Sequence, residues 1–200
     1  MITAQQSATA LFKKQGGILR ATDAVRLGIA PRTLYAMRDA GDLRTLSRGV
    51  YQLASLALPS NPDLVILARR LPRAVICLIS ALYFHHLTTQ IPHHVYVALP
   101  AGSPQPKLDY PRLYVVRLSG RCMTSGVETH VVDGYQIRVF SVAKTVADCF
   151  RFRNKIGIDV AVEALQEALR NRKTTPAEIS EFSAINRVSN VIRPYIEALI

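Results

Sequence analysis

The chain of 200 residues has no tryptophan, three cysteines, and only 14 Asp and Glu against 25 Lys and Arg. Cys77, Cys122 and Cys149 have no paired spacing and lie in apolar or mixed stretches of sequence, which excludes a disulfide framework and a CxxC redox or zinc pair. They read as free, buried thiols of a cytoplasmic protein. No apolar run reaches the roughly 18 residues of a membrane span, and the N-terminus has no apolar signal-peptide core. The expectation is therefore a soluble, intracellular protein with no membrane partner. A phosphate-binding glycine loop, a serine nucleophile elbow and internal repeats are also missing. What is present is positive charge. The formal net charge is +11 and the isoelectric point is near 10.0. It is distributed as +5 over residues 1–54, +4 over 55–150 and +2 over 151–200. Such a balance points to a polyanionic partner.

The stretch from Ile18 to Tyr51 is the most informative. Thr22, with Asp23 behind it, is a plausible cap for a short helix that stops at Gly28, a residue that tolerates the left-handed exit conformation. Pro31 suits the first turn of a second helix, because the amide it lacks would be unpaired there. Leu34 and Met37 share one face of that helix and are expected to pack on Val25 and Leu27. Arg32, Thr33, Tyr35 and Arg38 are left facing outward. The helix ends near Gly41, and Leu43–Leu53 alternates around Ser47-Arg48-Gly49 as a hairpin would. This is the pattern of a winged helix-turn-helix with Arg48 at the wing tip. Two helices and a hairpin can also form a structural subdomain or a protein-binding module. The eight Lys and Arg against three Asp and Glu in residues 1–54 favour DNA. The predicted DNA contacts are Arg20, Pro31, Arg32, Thr33, Tyr35, Arg38, Arg44 and Arg48, with the start of the second helix in a major groove.

Ala4–Lys14 is predicted as a preceding helix, with Ala8, Leu11 and Phe12 inward and Gly16-Gly17 ending it. The proline-rich stretch Ala57–Pro62 marks a linker, so that residues 1–56 form the winged domain and 62–200 a second one. In the latter, Asn61 is expected to cap a helix from Pro62 to Leu71, and Val75–Leu87 reads as helical or mixed. Strands are predicted at Val95–Ala98, Leu113–Leu118, Val127–Val132 and Tyr135–Phe140, the last two joined by Asp133-Gly134. Ser141 caps a helix to Phe152, Ile158–Asn171 forms another, Thr175–Glu178 makes a capping box, and a last helix lies around Val191–Leu199. The fold class is α+β: a winged helix-turn-helix followed by a mixed domain with a small, mainly antiparallel sheet flanked by helices.

The order of motifs resembles a known family. Arg48-Gly49-Val50-Tyr51 closes the wing. Ser80-Ala81-Leu82 precedes His85-His86-Leu87-Thr88 and, after Ile91-Pro92, the strand Val95-Tyr96-Val97-Ala98. Ile137-Arg138-Val139 then leads into Ser141-Val142-Ala143-Lys144-Thr145-Val146-Ala147-Asp148-Cys149. Together these resemble AbiEi-type antitoxins, transcriptional regulators paired with a nucleotidyltransferase-like toxin in bacterial abortive-infection loci. The resemblance spans nearly the whole chain, through short and degenerate motifs. It implies an N-terminal domain that binds inverted repeats of double-stranded DNA in its own promoter. It also implies a C-terminal domain for antitoxin action and self-association on DNA, a cognate toxin countered functionally or by contact, and no catalysis or cofactor. Residues for toxin neutralisation do not transfer. Arg151, Arg153 and Lys155, then Arg170, Arg172 and Lys173, are candidate secondary contacts to phosphate or a partner.

Enzymatic alternatives are weaker. His85-His86 and His93-His94 could ligate zinc, but adjacent histidines on a helix point about 100° apart and no acidic residue completes a metal motif. Asp109, Glu128, Asp133 and Lys144 could assemble a metal-dependent nuclease site, the runner-up reading. Against it, Asp133 belongs to a turn with Gly134, and Lys144 reads as a solvated first-turn residue. Asp148 lies in an apolar run and, if buried, needs a donor such as Arg151, Arg153, Ser80 or Tyr83. On the surface it would pair with Lys144 instead.

Overall fold

Thr3 opens the first helix, α1 (Ala4–Lys14), through a capping box: its hydroxyl accepts the Gln6 amide at 3.2 Å, and the Gln6 side chain accepts the Thr3 amide at 2.9 Å. The computed structural model, which describes residues 3–199, continues with β1 (Ile18–Arg20), α2 (Ala21–Arg26), α3 (Pro31–Asp39), β2 (Leu43–Ser47), β3 (Val50–Leu53) and α4 (Pro62–Arg70). The chain forms two compact units. One is Met1–Pro72 with Pro106–Pro111 and Val131–Ile137; the other is Arg73–Gln105, Arg112–His130 and Arg138–Ile200.

In the first unit, β1, β3 and β2 form a three-stranded sheet in that order, with both pairs antiparallel. Leu19, Tyr51, Leu43 and Leu53 meet Ala8 and Phe12 of α1, Ala24 of α2, and Leu34 and Met37 of α3 in one core. The inward positions of α1 and α3 are those that helical spacing predicts. The partners on α2 are different: Val25 and Leu27 are exposed, and Ala24 with Ile29 takes their place under α3. A six-residue helix presents a narrow stripe, and only its small Ala24 faces the crossing helix. Nor does Thr22 cap α2: its N-cap is Arg20, two residues earlier, which makes no side-chain cap bond. Gly49, at φ +73°, permits the tight wing turn.

The expected linker lies inside this unit. α4 contacts β1 and β2, and its Leu64, Val65, Ile66 and Leu67 are buried. The Arg69 guanidinium donates to the carbonyls of Gln15 and Ile18 at 2.9 and 2.6 Å. Asn61 precedes α4 without making the side-chain cap expected of it, and Pro62 alone starts the helix.

The second unit is built from β4 (Val75–Ile76), α5 (Leu78–Phe84), β5 (Val95–Pro100), β6 (Leu113–Leu118), α6 (Arg121–Thr124), β7 (Val127–Val132), β8 (Tyr135–Phe140), α7 (Val142–Arg151), α8 (Arg153–Ile156), α9 (Ile158–Arg170), α10 (Pro176–Asn186) and α11 (Ser189–Glu197). The hairpin tips of β7 and β8 fall in the first unit's segment. The five-stranded sheet has the order β6-β5-β4-β8-β7. It is mixed: β4 runs antiparallel to β5 but parallel to β8, and β5 runs parallel to β6. The two-residue Asp133-Gly134 turn, with φ of +51° and +80°, makes the β7–β8 pair antiparallel. α7 lies at the centre, in contact with α5, α9, α10 and α11. Every residue from Ala143 to Phe150 is buried. Thr175 and Glu178 form the expected capping box, but they open a full helix, α10, ahead of the final one.

Burial of that helix overturns the reading of Lys144 as solvated. Lys144 and Asp148 are 0% and 1% exposed and form a buried ion pair one turn apart. Asn186 donates to the same carboxylate at 2.8 Å. Neither Ser80 nor an arginine serves Asp148. Ser80 instead accepts the Tyr96 amide at 2.9 Å, tying α5 to β5. Burial holds the Asp148 carboxyl above the usual carboxylate range despite Lys144.

His85 shows the opposite electrostatic sense. Its Nε2 lies 2.7 Å from the Phe140 carbonyl, so the neutral ring donates there. Burial depresses its pKa below the ordinary 6.5, and the bond to Phe140 offsets this only in part. The unfolded chain thus takes up the proton more readily. The contribution of His85 to stability is complete above about pH 6.5 and is lost as pH falls through its folded value. In thermal melts from pH 8 to 5, His85→Gln, which keeps an N–H donor, is expected to flatten the acid limb relative to wild type. Parallel curves would contradict this.

Candidate nucleic-acid interface

The outward face of α3 follows from its inward one. With Leu34 and Met37 fixed in the core, Arg32, Tyr35 and Arg38 are exposed and Thr33 is half-buried. Ala30 precedes the helix with an extended backbone, and Pro31 occupies its first turn. The Arg32 side chain makes no hydrogen bond or ion pair among the described residues. Arg38 is engaged: its guanidinium lies 5.1 Å from the Tyr35 ring centroid and within 2.8 Å of Asp39 Oδ1. That hydrogen bond raises its pKa, and the Asp39 carboxylate offsets part of its charge.

Arg44 is exposed on β2, and Arg48 is exposed in the wing turn. The Arg48 carbonyl accepts Arg70 Nη1 at 2.7 Å, and Arg70 Nη2 reaches the Lys107 carbonyl at 3.0 Å. The wing is therefore braced from α4. Arg20 stands apart from the other predicted contacts. It is half-buried between β1 and α2, and its Nε is shielded from solvent without a partner. Sequence reasoning missed Arg26, whose side chain is 82% exposed and 3.9 Å from Asp23, and the bracing role of Arg70. The Arg69-Arg70 doublet at the end of α4 was the available signal, since cations favour a helix C-terminus.

The alternative sites do not assemble. Asp133 accepts the Ser60 amide and hydroxyl, each at 2.9 Å. Glu128 pairs with His130 at 3.0 Å, and Lys144 is committed to Asp148. His86, His93 and His94 are exposed. Among the described residues no three of His, Cys, Asp and Glu are grouped to hold a metal ion, and no helix is long and apolar enough to cross a membrane. All three cysteines are free; Cys77 and Cys149 are buried, whereas Cys122 is half-exposed beside Arg151.

Several C-terminal cations are partly used internally. Arg153 donates to the Phe150 carbonyl at 2.9 Å, Arg170 pairs with Glu167 at 3.0 Å, and Lys173 donates to the His85 carbonyl. Lys155 lies 6.0 Å from the Phe152 ring centroid. Arg172 is exposed in a left-handed conformation after α9.

Three helices, a wing and an outward basic face define the N-terminal region as a winged helix-turn-helix module. Residues 6–54 match the family model described as transcriptional regulator, AbiEi antitoxin, a regulatory and non-catalytic domain. A search of curated proteins returns no match. Among solved structures, the crystal structure of the RV2827C protein from Mycobacterium tuberculosis is similar over 100% of this chain and 81% of that one, with a TM-score of 0.57 and 15% identity. At that identity the likeness is one of fold.

Proposed function

We propose that the chain is a sequence-specific antitoxin that represses its own operon by binding inverted repeats in the promoter and counteracts a nucleotidyltransferase-like toxin in the cytoplasm. The observation that carries this reading is the exposed Arg32-Tyr35-Arg38 face of a proline-started helix beside the Arg48 wing, within a segment matching the AbiEi regulators. The start of α3 enters a major groove, and Arg44 and Arg48 meet the adjacent backbone. The winged unit, with α4 packed on its sheet, reads DNA, and the second unit carries antitoxin action and self-association. Arg151, Arg153, Lys155, Arg170, Arg172 and Lys173 supply secondary contacts there.

Fluorescence anisotropy against the upstream DNA and a scrambled duplex, at two salt concentrations, tests the proposal. Selective, salt-sensitive binding is expected, and equal weak binding to both duplexes would sink it. Arg32→Ala should cost roughly 1–3 kcal/mol if the side chain reaches a base, or lower the salt slope by about one if it reaches a phosphate. Arg38→Ala should cost less, because Asp39 already offsets that charge. A larger loss on Arg38→Ala than on Arg32→Ala would place the reading face elsewhere.

A further inference from the structure

β7 ends the five-stranded sheet, and its outer edge carries neither lysine nor proline, the residues that usually guard such an edge. The closing pair of the hairpin, Val132 and Tyr135, flanks a two-residue turn and exchanges hydrogen bonds. Pairing alternates from there, so the N–H and C=O groups of Val127, Thr129 and Val131 point away from β8. The bond from the Ser141 amide to the Gly126 carbonyl, 2.7 Å, fits this alternation. No loop, turn or side chain among the described residues bonds the backbone of those three residues. Val131 is 72% exposed, and Glu128 and Thr129 are exposed as well.

We propose that β7 is the self-association surface: it pairs antiparallel with β7 of a second copy across a two-fold axis centred on Thr129. Three registers bring outward groups of one strand opposite outward groups of the other over several residues. Centring on Glu128 sets two carboxylates face to face. Centring on His130 opposes two histidines and strands Glu128 opposite Val132. Centring on Thr129 places Glu128 of each copy opposite His130 of the other at a non-hydrogen-bonded pair, where side chains are closest. It also sets Val127 against Val131 on the other face and bonds Thr129 to its own copy. Hydrogen-bonding and apolar complementarity select this register, and it is the one of the three that engages all three outward-facing residues, Val127, Thr129 and Val131. The Glu128–His130 contact within one strand, 3.0 Å, confirms that both side chains share the face this needs. The two-fold gives two reading domains related by symmetry, as an inverted repeat requires. That consequence rests on the DNA-binding reading; the strand pairing does not.

Sedimentation equilibrium of the full chain without DNA is the test. Wild type is expected to show a concentration-dependent monomer–dimer equilibrium. Thr129→Pro should be monomeric with unchanged circular dichroism, since that N–H takes no part in the hairpin. Glu128→Lys should weaken the dimer on the order of tenfold through two symmetric contacts, and adding His130→Glu in the same chain should restore it. A wild type that stays monomeric, or a Thr129→Pro dimer of wild-type strength, overturns the proposal. A monomer that still binds the promoter selectively would defeat β7 pairing alone, whereas a dimer without selective DNA binding would defeat the repressor reading alone.

Discussion

Asp148→Ala is expected to destabilise the second unit by about 3–5 kcal/mol, because it leaves the Lys144 ammonium buried without its counter-ion. The pair sits on α7 at 0% and 1% exposure, and the ammonium also lies 4.4 Å from the Phe140 ring centroid. A ring face compensates a cation by no more than about 2 kcal/mol. Against a total stability of roughly 5–15 kcal/mol, the loss is a large fraction. Lys144→Ala should be of similar size, since it orphans the carboxylate. The Lys144→Met, Asp148→Leu double variant should lose less than either single change, because two apolar side chains avoid the desolvation that the ion pair must overcome. Urea denaturation of the three variants checks this. Additive losses would mean that the two groups act independently, contrary to their geometry.

Phe12→Ala is expected to cost the first unit about 3–5 kcal/mol. Phe12 is 0% exposed and sits among Leu19, Leu34 and Met37. The cavity would open beneath the two positions that orient α3, so the outward face of that helix should lose its fixed geometry with the core. Phe12→Leu should recover a good part of the loss by refilling volume. Tyr35→Ala, on the 46% exposed face of α3, should leave stability within about 0.5 kcal/mol of wild type. Chemical denaturation of the full chain, followed by a probe in the winged unit, distinguishes the two. Equal effects from Phe12 and Tyr35 substitution would show that the assignment of inner and outer faces is wrong.

Much of the first unit was legible because its signals are local. A proline at the start of α3, glycines after α2 and α3, and the spacing of Ala8, Phe12, Leu34 and Met37 depend on neighbours a few residues away. β1 was missed, since three residues carry too little periodicity to register. The fate of Val25 and Leu27 was misjudged for a related reason. Apolar residues on a six-residue helix do not reveal which side meets α3, and the crossing of the two helices selected Ala24.

The Lys144–Asp148 pair shows the division most clearly. The spacing of four was visible and implied that the two side chains could touch. It did not reveal whether they touch in water or in the core. That was decided by α9, α10 and α11 closing over α7, and by Asn186, 38 residues away, reaching the same carboxylate. Likewise, the sequence by itself determined the starts of α1, α3, α4, α7 and α9, the Asp133-Gly134 turn, the longer strands of the second unit and the basic outward face of α3. The tertiary structure alone decided that the sheet is mixed, that α4 belongs with the wing, and that β7 lies at an open edge. Caps, turns and periodicity are set by short-range sterics and hydrogen bonds. Strand order and the burial of a charge depend on which distant segments meet, and no local pattern encodes that.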